Sequence, residues 1–419
     1  MAPVGRPGAG WRVAAQVAVV LGLAVLAGLV SALGPNDPWH NWFDLRVYDG
    51  AVEWWRSGRP LYDYTFGRTD YGFTYPPFAA LAVLPMTLLP IEAVAAVHAG
   101  LNLLVLAGVT AWLVVPPARR HGWPPAFAVA AALPVVFVLE PVRETIGFGQ
   151  VNLLLLALVL ADVAALRRGW RWAGAGIGLA AAFKVTPGLF VVYLLLTRRR
   201  RAAAVAAGTA ALATGLAFAV APATSWRFFT GTLWQTERVG RLDKTSNQSL
   251  LGGLARLTDP AQPPRLLWLV LAVAVLALVL TRAVRAARAG DDLAGVALTG
   301  LAACLVSPIA WSHHFVWLVP ALIVLVDVAA GSPAAPGRLS GRRAAAALAV
   351  VTGLVLASSS IWFAEADPGH HHDLGVPGLV VEDLYLLTTL AVVALLPVRA
   401  TTPSAHRPTP RPGAVPDRR

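Results

Sequence analysis

An all-α integral membrane protein, a bundle of about twelve membrane helices, is the fold class that this sequence predicts. Three observations predict it. Of 419 residues, 57% are hydrophobic and only 13% are charged, against about 25% charged in soluble domains. The apolar residues gather in runs near the length of about 20 that a helix needs to cross a bilayer. Arginine clusters sit between the runs, where they act as orientation signals rather than as a nucleic-acid surface. The net charge of +12, from 34 basic and 22 acidic residues, is therefore no sign of a nucleic-acid partner. A water-soluble enzyme and a disordered chain are both excluded. A single cysteine, Cys304, leaves no disulfide framework and no cysteine-based zinc or iron–sulfur site.

The first apolar run, Trp11 to Leu33, is too long for a signal-peptide core and no cleavage site follows it, so it reads as a retained helix. Arg6 and Arg12 precede it and set the N-terminus in the cytoplasm. Residues 34–75 then form an external loop, the most polar and aromatic stretch of the chain. The run between Pro76 and Pro90 has 13 interior residues. That is too short to cross the hydrocarbon core at about 1.5 Å per residue. It reads as a helix lying along the outer interface. Residues 34–90 together make one external loop with its interfacial helix, the first place to look for chemistry.

Residues 91–115 form the next span and end at Arg119, Arg120 and His121. Residues 124–140 run outward and 150–166 return to Arg167 and Arg168. The run 172–197 is basic at both flanks and ends at Arg198–Arg201. Both flanks belong inside, which requires an even number of crossings. Two half-helices forming a hairpin, with Lys184-Val-Thr-Pro187 at the outward apex, satisfy this, provided that protein or a wet cavity surrounds the break. Span 202–221, a second external loop at 222–263 and spans at 265–281, 293–310, 314–330, 344–363 and 379–397 complete one membrane domain of residues 1–397. The Pro- and Arg-rich segment 398–419 reads as a disordered cytoplasmic tail. His370-His371-His372 is a poor metal candidate, because three successive histidines cannot face one ion in regular structure.

With that orientation the unusual polar residues gather at the outer face rather than at the midplane, where a transporter keeps its site. This distribution points to chemistry on a lipid-anchored substrate. The strings Phe43-Asp44-Leu-Arg46-Val-Tyr48, Trp54-Trp-Arg-Ser-Gly58-Arg-Pro-Leu61-Tyr62-Asp63 and Phe73-Thr-Tyr75-Pro76-Pro77 open a series of motifs. Gly149-Gln150-Val-Asn152, Lys184-Val-Thr-Pro187, Asn247-Gln248-Ser249 and Ser307-Pro308-Ile-Ala-Trp311-Ser-His313-His314 continue it. The ordered set resembles the polyprenol-phosphate-mannose-dependent mannosyltransferases of actinobacteria, glycosyltransferase family 87. The resemblance implies a GT-C fold and a plasma-membrane active site facing outward. There, a sugar on polyprenyl phosphate moves to a glycolipid or lipoglycan hydroxyl with inversion.

Chemistry gives the matching residues roles. An acceptor hydroxyl needs a base as it attacks, and Asp44 lies in the loop where the family keeps its base. The leaving phosphate needs cationic donors, for which Lys184, His313, His314 and Arg143 are the candidates. For Lys184 a second reading stands, pairing with Asp44 or Glu144, and for Arg143 an ion pair with Glu144. One histidine of the pair is expected to reach the cavity. Arg46, Tyr48, Tyr75, Gln150, Asn152, Asn247 and Gln248 are candidates for sugar and acceptor binding, with helix packing a second reading for Asn152. The resemblance calls for no metal and no cofactor. An arabinofuranosyltransferase using polyprenyl-phosphate arabinose is one alternative, and a transporter or flippase is another of a different class.

Overall fold

A computed structural model of the chain describes residues 9–35, 40–258, 262–335, 341–367 and 369–400. The elements are helical throughout. Helix α1 (Ala9–Leu33) is followed by α2 (Phe43–Arg56), α3 (Pro77–Val83) and α4 (Ile91–Arg120). Next come α5 (Pro125–Val138), α6 (Glu140–Gly147), α7 (Asn152–Arg167), α8 (Ala175–Phe183) and α9 (Leu189–Leu196). Helices α10 (Arg200–Val220), α11 (Pro222–Thr230) and α12 (Leu250–Arg256) lead to α13 (Arg265–Arg288), α14 (Asp292–Val306) and α15 (Leu318–Ala329). The chain ends with α16 (Arg342–Ala357), α17 (Gly375–Glu382) and α18 (Leu384–Leu395).

Each of the twelve expected spans coincides with a helix or a helix pair. Among the described residues, six helices are long and apolar enough to cross a membrane alone, and the bent pair α5–α6 makes a seventh. That bend of 72° has a local cause. Leu139 is extended (φ −61°, ψ 122°), and Pro141 lacks the N–H that a continuing helix would need, so a new helix starts around it. The run 76–90 is two short helical pieces, α3 and a 3₁₀ segment Leu84–Leu88, too short to span, as expected.

The run 172–197 is a hairpin. Lys184 breaks it in extended conformation (φ −143°, ψ 130°), and Pro187 opens the return turn. A Cβ on Gly174 would meet Ala202, and one on Gly178 would meet Ala206 and Thr209, so α8 runs parallel to α10. Arg201 also donates to the Arg171 carbonyl at 3.4 Å. The start of α8 and the end of α9 thus lie at the same end of the bundle, with Lys184 at the apex. Asp162 of α7 caps α8 by accepting the Ile177 N–H at 2.7 Å, which satisfies an orphan donor of the first turn.

Helix α14 is the axis of the core: every residue from Asp292 to Leu305 is buried. Helices α1, α10 and α13 turn most of their apolar residues outward, as lipid-facing helices do. At one end of the bundle, buried carboxylates gather arginines. Asp291 takes the Arg399 Nε–H at 2.9 Å, and Asp327 takes Arg399 Nη1 at 3.0 Å and lies 3.0 Å from His121 Nε2. Asp292 pairs with Arg199. Arg399 therefore corrects the expected tail boundary: the chain is held in place through Ala400, whose N–H donates to the Pro333 carbonyl at 2.9 Å. The remainder of the expected tail, 401–419, lies outside the described residues. Helices α7, α8, α14 and α15 each connect this basic end with a cavity at the other, α8 and α14 running toward the cavity and α7 and α15 away from it.

Removing one partner from a buried ion pair leaves an uncompensated charge, at a cost of about 3 kcal/mol or more. Arg399→Ala is expected to lower the melting temperature of the detergent-solubilised protein clearly. Arg56→Ala, which breaks an exposed pair with Glu53, should leave it nearly unchanged; equal effects would contradict the placement of the cluster.

Candidate active site

The far end of the bundle encloses a cavity of about 700 Å³. Its base is set by a junction between α2 and α6. The Trp42 N–H donates to the Gly147 carbonyl at 2.9 Å and the Leu45 N–H to the Phe148 carbonyl at 3.1 Å. The chain then turns at Gly149 with φ of 76°, a left-handed conformation that favours glycine. A Cβ there would lie 2.5 Å from the Leu45 Cβ. This close approach lays the first turn of α2, with Asp44, beside Gln150.

Gln150 organises the polar wall. One amide N–H donates to Asp44 Oδ2 at 2.8 Å and the other to the Tyr48 hydroxyl at 2.8 Å. Tyr48 donates to the Tyr75 hydroxyl at 3.0 Å, and Tyr75 donates to Gln150 Oε1 at 2.8 Å. The ring of bonds fixes all four side chains. Burial pushes the Asp44 carboxyl up to about 6, opposed by the Gln150 amide, Lys184 and His40, which pull it down. Burial likewise holds the Tyr48 and Tyr75 phenols above their ordinary range, so both are neutral near pH 7.

On the helical wall, Lys184 Nζ lies 3.3 Å from Asn152 Oδ1 and 2.8 Å from His314 Nε2. No carboxylate forms an ion pair with it among the described residues. Its ammonium also lies 5.3 Å from the centre of the Tyr75 ring. The Trp311 N–H donates to His314 Nδ1 at 3.2 Å. Glu144 accepts from Ser312 Oγ on the same wall.

Asp44, Tyr48, Tyr75, Gln150, Lys184, His313 and His314 all line the cavity, so both histidines reach it. Asn152 stands behind Lys184, and its Nδ2 donates to the His313 carbonyl at 3.0 Å. Four candidates fall elsewhere. Arg46 folds back onto the Asn41 carbonyl at 3.0 Å, closing the turn before α2. Arg143 donates to Ser31 Oγ at 3.4 Å and to Ser359; successive residues on a helix face different ways, so with Glu144 facing the cavity it faces away. Asn247 and Gln248 are buried staples. Asn247 Oδ1 accepts the Ala310 N–H at 2.9 Å, and Gln248 Nε2 donates to the Thr245 and Glu382 carbonyls, both at 2.6 Å. They hold the second loop against the segment that carries His313 and His314.

The sequence reading passed over Arg238, Lys244 and Tyr71, which also line the cavity. A basic pair in a loop otherwise short of motifs was the available signal. The histidine tract does not converge: His371 Nδ1 lies 3.0 Å from Glu382 Oε2, whereas His370 pairs with Asp373.

A carboxylate, Asp44, and an ammonium, Lys184, thus share one cavity inside a bundle of membrane helices. Residues 73–308 match the model of glycosyltransferase family 87. Two relatives, from Mycolicibacterium smegmatis and Mycobacterium tuberculosis, carry the name polyprenol-phosphate-mannose-dependent alpha-(1-2)-phosphatidylinositol mannoside mannosyltransferase. Each is 36% identical, the first over 68% of this chain and 70% of its own, the second over 75% and 74%. A looser likeness, with a TM-score of 0.33 and 20% identity, covers 92% of this chain and 77% of ArnT from Cupriavidus metallidurans bound to undecaprenyl phosphate; it is too loose to carry any feature across. The chain belongs to glycosyltransferase family 87. It is a glycosyltransferase, which sets the transporter alternative aside.

Gly149→Ala is expected to cut sugar transfer at least tenfold at normal protein levels. An added Cβ strains the left-handed turn by about 1–2 kcal/mol and pushes Leu45, and with it Asp44, off the wall. Transfer unchanged in that variant would show that the α2–α6 junction does not position Asp44.

Proposed function

We propose that the protein transfers mannose from polyprenyl-phosphate mannose to a hydroxyl of a glycolipid or lipoglycan, in one inverting displacement at the outer face of the plasma membrane. The acceptor oxygen attacks the anomeric carbon as the bond from that carbon to the phosphate oxygen breaks. The electron pair leaves with the phosphate, and the hydroxyl proton passes to Asp44. Gln150 occupies Oδ2, which leaves Oδ1 to take the proton. A carboxyl near 6 is charged at neutral pH yet more basic than an ordinary aspartate, which suits a general base.

The observation that carries this reading is the buried Lys184 ammonium, which forms no ion pair with a carboxylate among the described residues. Its Nζ lies within hydrogen-bond distance of His314 Nε2, at 2.8 Å. A phosphate oxygen in the cavity accepts from the Lys184 ammonium, and charge developing on it in the transition state is stabilised by such a fixed donor. His313 lines the same cavity and stands ready to contact donor or sugar. The names of the relatives favour mannose over the arabinose donor. Outward orientation is supported by the arginines at the opposite end, Arg120, Arg167, Arg199 and Arg399, since basic ends favour the cytoplasm.

The test is radiolabelled transfer in membranes containing wild-type protein or single variants, with mannose and arabinose donors offered separately. Asp44→Asn is expected to lose about 100-fold or more in kcat while the donor still binds. Lys184→Met should lower kcat by about 100-fold and weaken donor binding as well. Full transfer by the Asn variant would remove Asp44 as the base, and label from the arabinose donor alone would overturn the choice of sugar.

A further inference from the structure

The cavity has a second cationic site on its loop wall. Arg238 and Lys244, both from the second loop, line the same space as Lys184, yet neither has a carboxylate within ion-pair distance among the described residues. Arg238 donates through Nη2 to the Tyr62 carbonyl, and its Nε is buried without a hydrogen-bond partner. Asp63, the nearby carboxylate, is engaged with Arg227. Lys244 Nζ donates to the Tyr71 hydroxyl and lies 5.0 Å from the centre of that ring. Glu365 is close enough to feel its charge but forms no ion pair with it.

Both cations are held rather than loose. The Lys244 carbonyl accepts Arg256 Nη1 at 2.8 Å and the Asn247 N–H at 2.8 Å, and Arg256 is itself fully buried. Tyr71 packs edge-on against Phe43, with ring centres 5.6 Å apart, and Phe43 precedes Asp44. The loop wall therefore carries its cations into the cavity that Asp44 and Lys184 also line. One monoanionic lipid phosphate on Lys184 leaves this second pair without an ion-pair partner among the described residues.

We propose that Arg238 and Lys244 bind the phosphodiester of an anionic acceptor lipid and so present its sugar hydroxyl to Asp44. The proposal rests on the donor assignment above and adds the residues that select the acceptor by its charge, favouring a phosphodiester-bearing glycolipid over a neutral glycoside. An arginine matches a phosphate with paired N–H donors and a lysine adds a point charge.

The experiment compares wild type, Arg238→Gln, Lys244→Gln and Arg238→Lys in proteoliposomes, with labelled polyprenyl-phosphate mannose as donor. Two acceptors are offered, a phosphatidylinositol mannoside and the uncharged octyl α-mannoside. Wild type is expected to prefer the anionic acceptor in kcat/KM, and each glutamine variant to lose about tenfold or more of that preference. The loss should lie in acceptor KM, with donor KM within about twofold, and Arg238→Lys should keep part of the preference. Because Arg238 also braces Tyr62, Lys244→Gln tests the charge without that bond. An unchanged preference, or a donor KM that rises in step, would overturn the second site. No transfer by wild type to either acceptor would overturn the donor reading itself.

Discussion

The contact on which the site depends is the docking of the first turn of α2 onto the last carbonyls of α6 around Gly149. Two backbone hydrogen bonds and one left-handed glycine bring a surface helix against the bundle core. The consequence is chemical. Asp44 leaves water for a wall where Gln150 holds one of its oxygens, and its carboxyl rises to about 6. An aspartate in a solvated loop would sit near 4; the same residue on this wall holds a proton more strongly and still ionises at neutral pH. The aromatic cluster of Tyr48, Tyr62, Phe73, Tyr75 and Phe228 then keeps α2 seated, so the loop behaves as part of the scaffold.

The opposite constraint is the buried ammonium. A lysine at a broken hairpin inside an apolar bundle is costly to keep charged, and here its company is an amide, a histidine and a tyrosine ring rather than a carboxylate. Ion pairs form elsewhere: Asp291, Asp292 and Asp327 gather arginines at the other end, and in the loops Arg256 pairs with Asp383 and Arg227 with Asp63. Compensated pairs tie helices and loops together, whereas Lys184, Arg238 and Lys244 line the cavity with no ion pair among the described residues.

The membrane architecture was legible because hydropathy and arginine placement are properties of the chain itself. Parity alone required the hairpin at 172–197, and the structure has it. The cavity residues Asp44, Tyr48, Tyr75, Gln150, Lys184, His313 and His314 were legible because their motifs recur in order. Asn247, Gln248 and Arg46 were misplaced for a common reason. An amide or guanidinium that bonds a sugar looks the same in sequence as one that bonds a distant backbone carbonyl, and only the fold shows Ala310, Glu382 or Asn41 in reach. Arg143 shares the helix with Glu144, and which of two neighbours faces a cavity depends on the helix's rotation. Arg399 was assigned to a tail because its flanks are Pro- and Arg-rich; its partners Asp291 and Asp327 are 108 and 72 residues away, beyond any local pattern.

The most direct test of the central claim is the pH dependence of kcat/KM for mannose transfer in wild type and in Gln150→Leu. If Asp44 is the base, kcat/KM in wild type falls on the acid side with a midpoint near pH 6. The Gln150 amide lowers the Asp44 pKa, so its loss should raise that pKa and move the limb to higher pH. A limb that stays in place when Gln150 is replaced, or that persists in the residual activity of Asp44→Asn, would contradict the account.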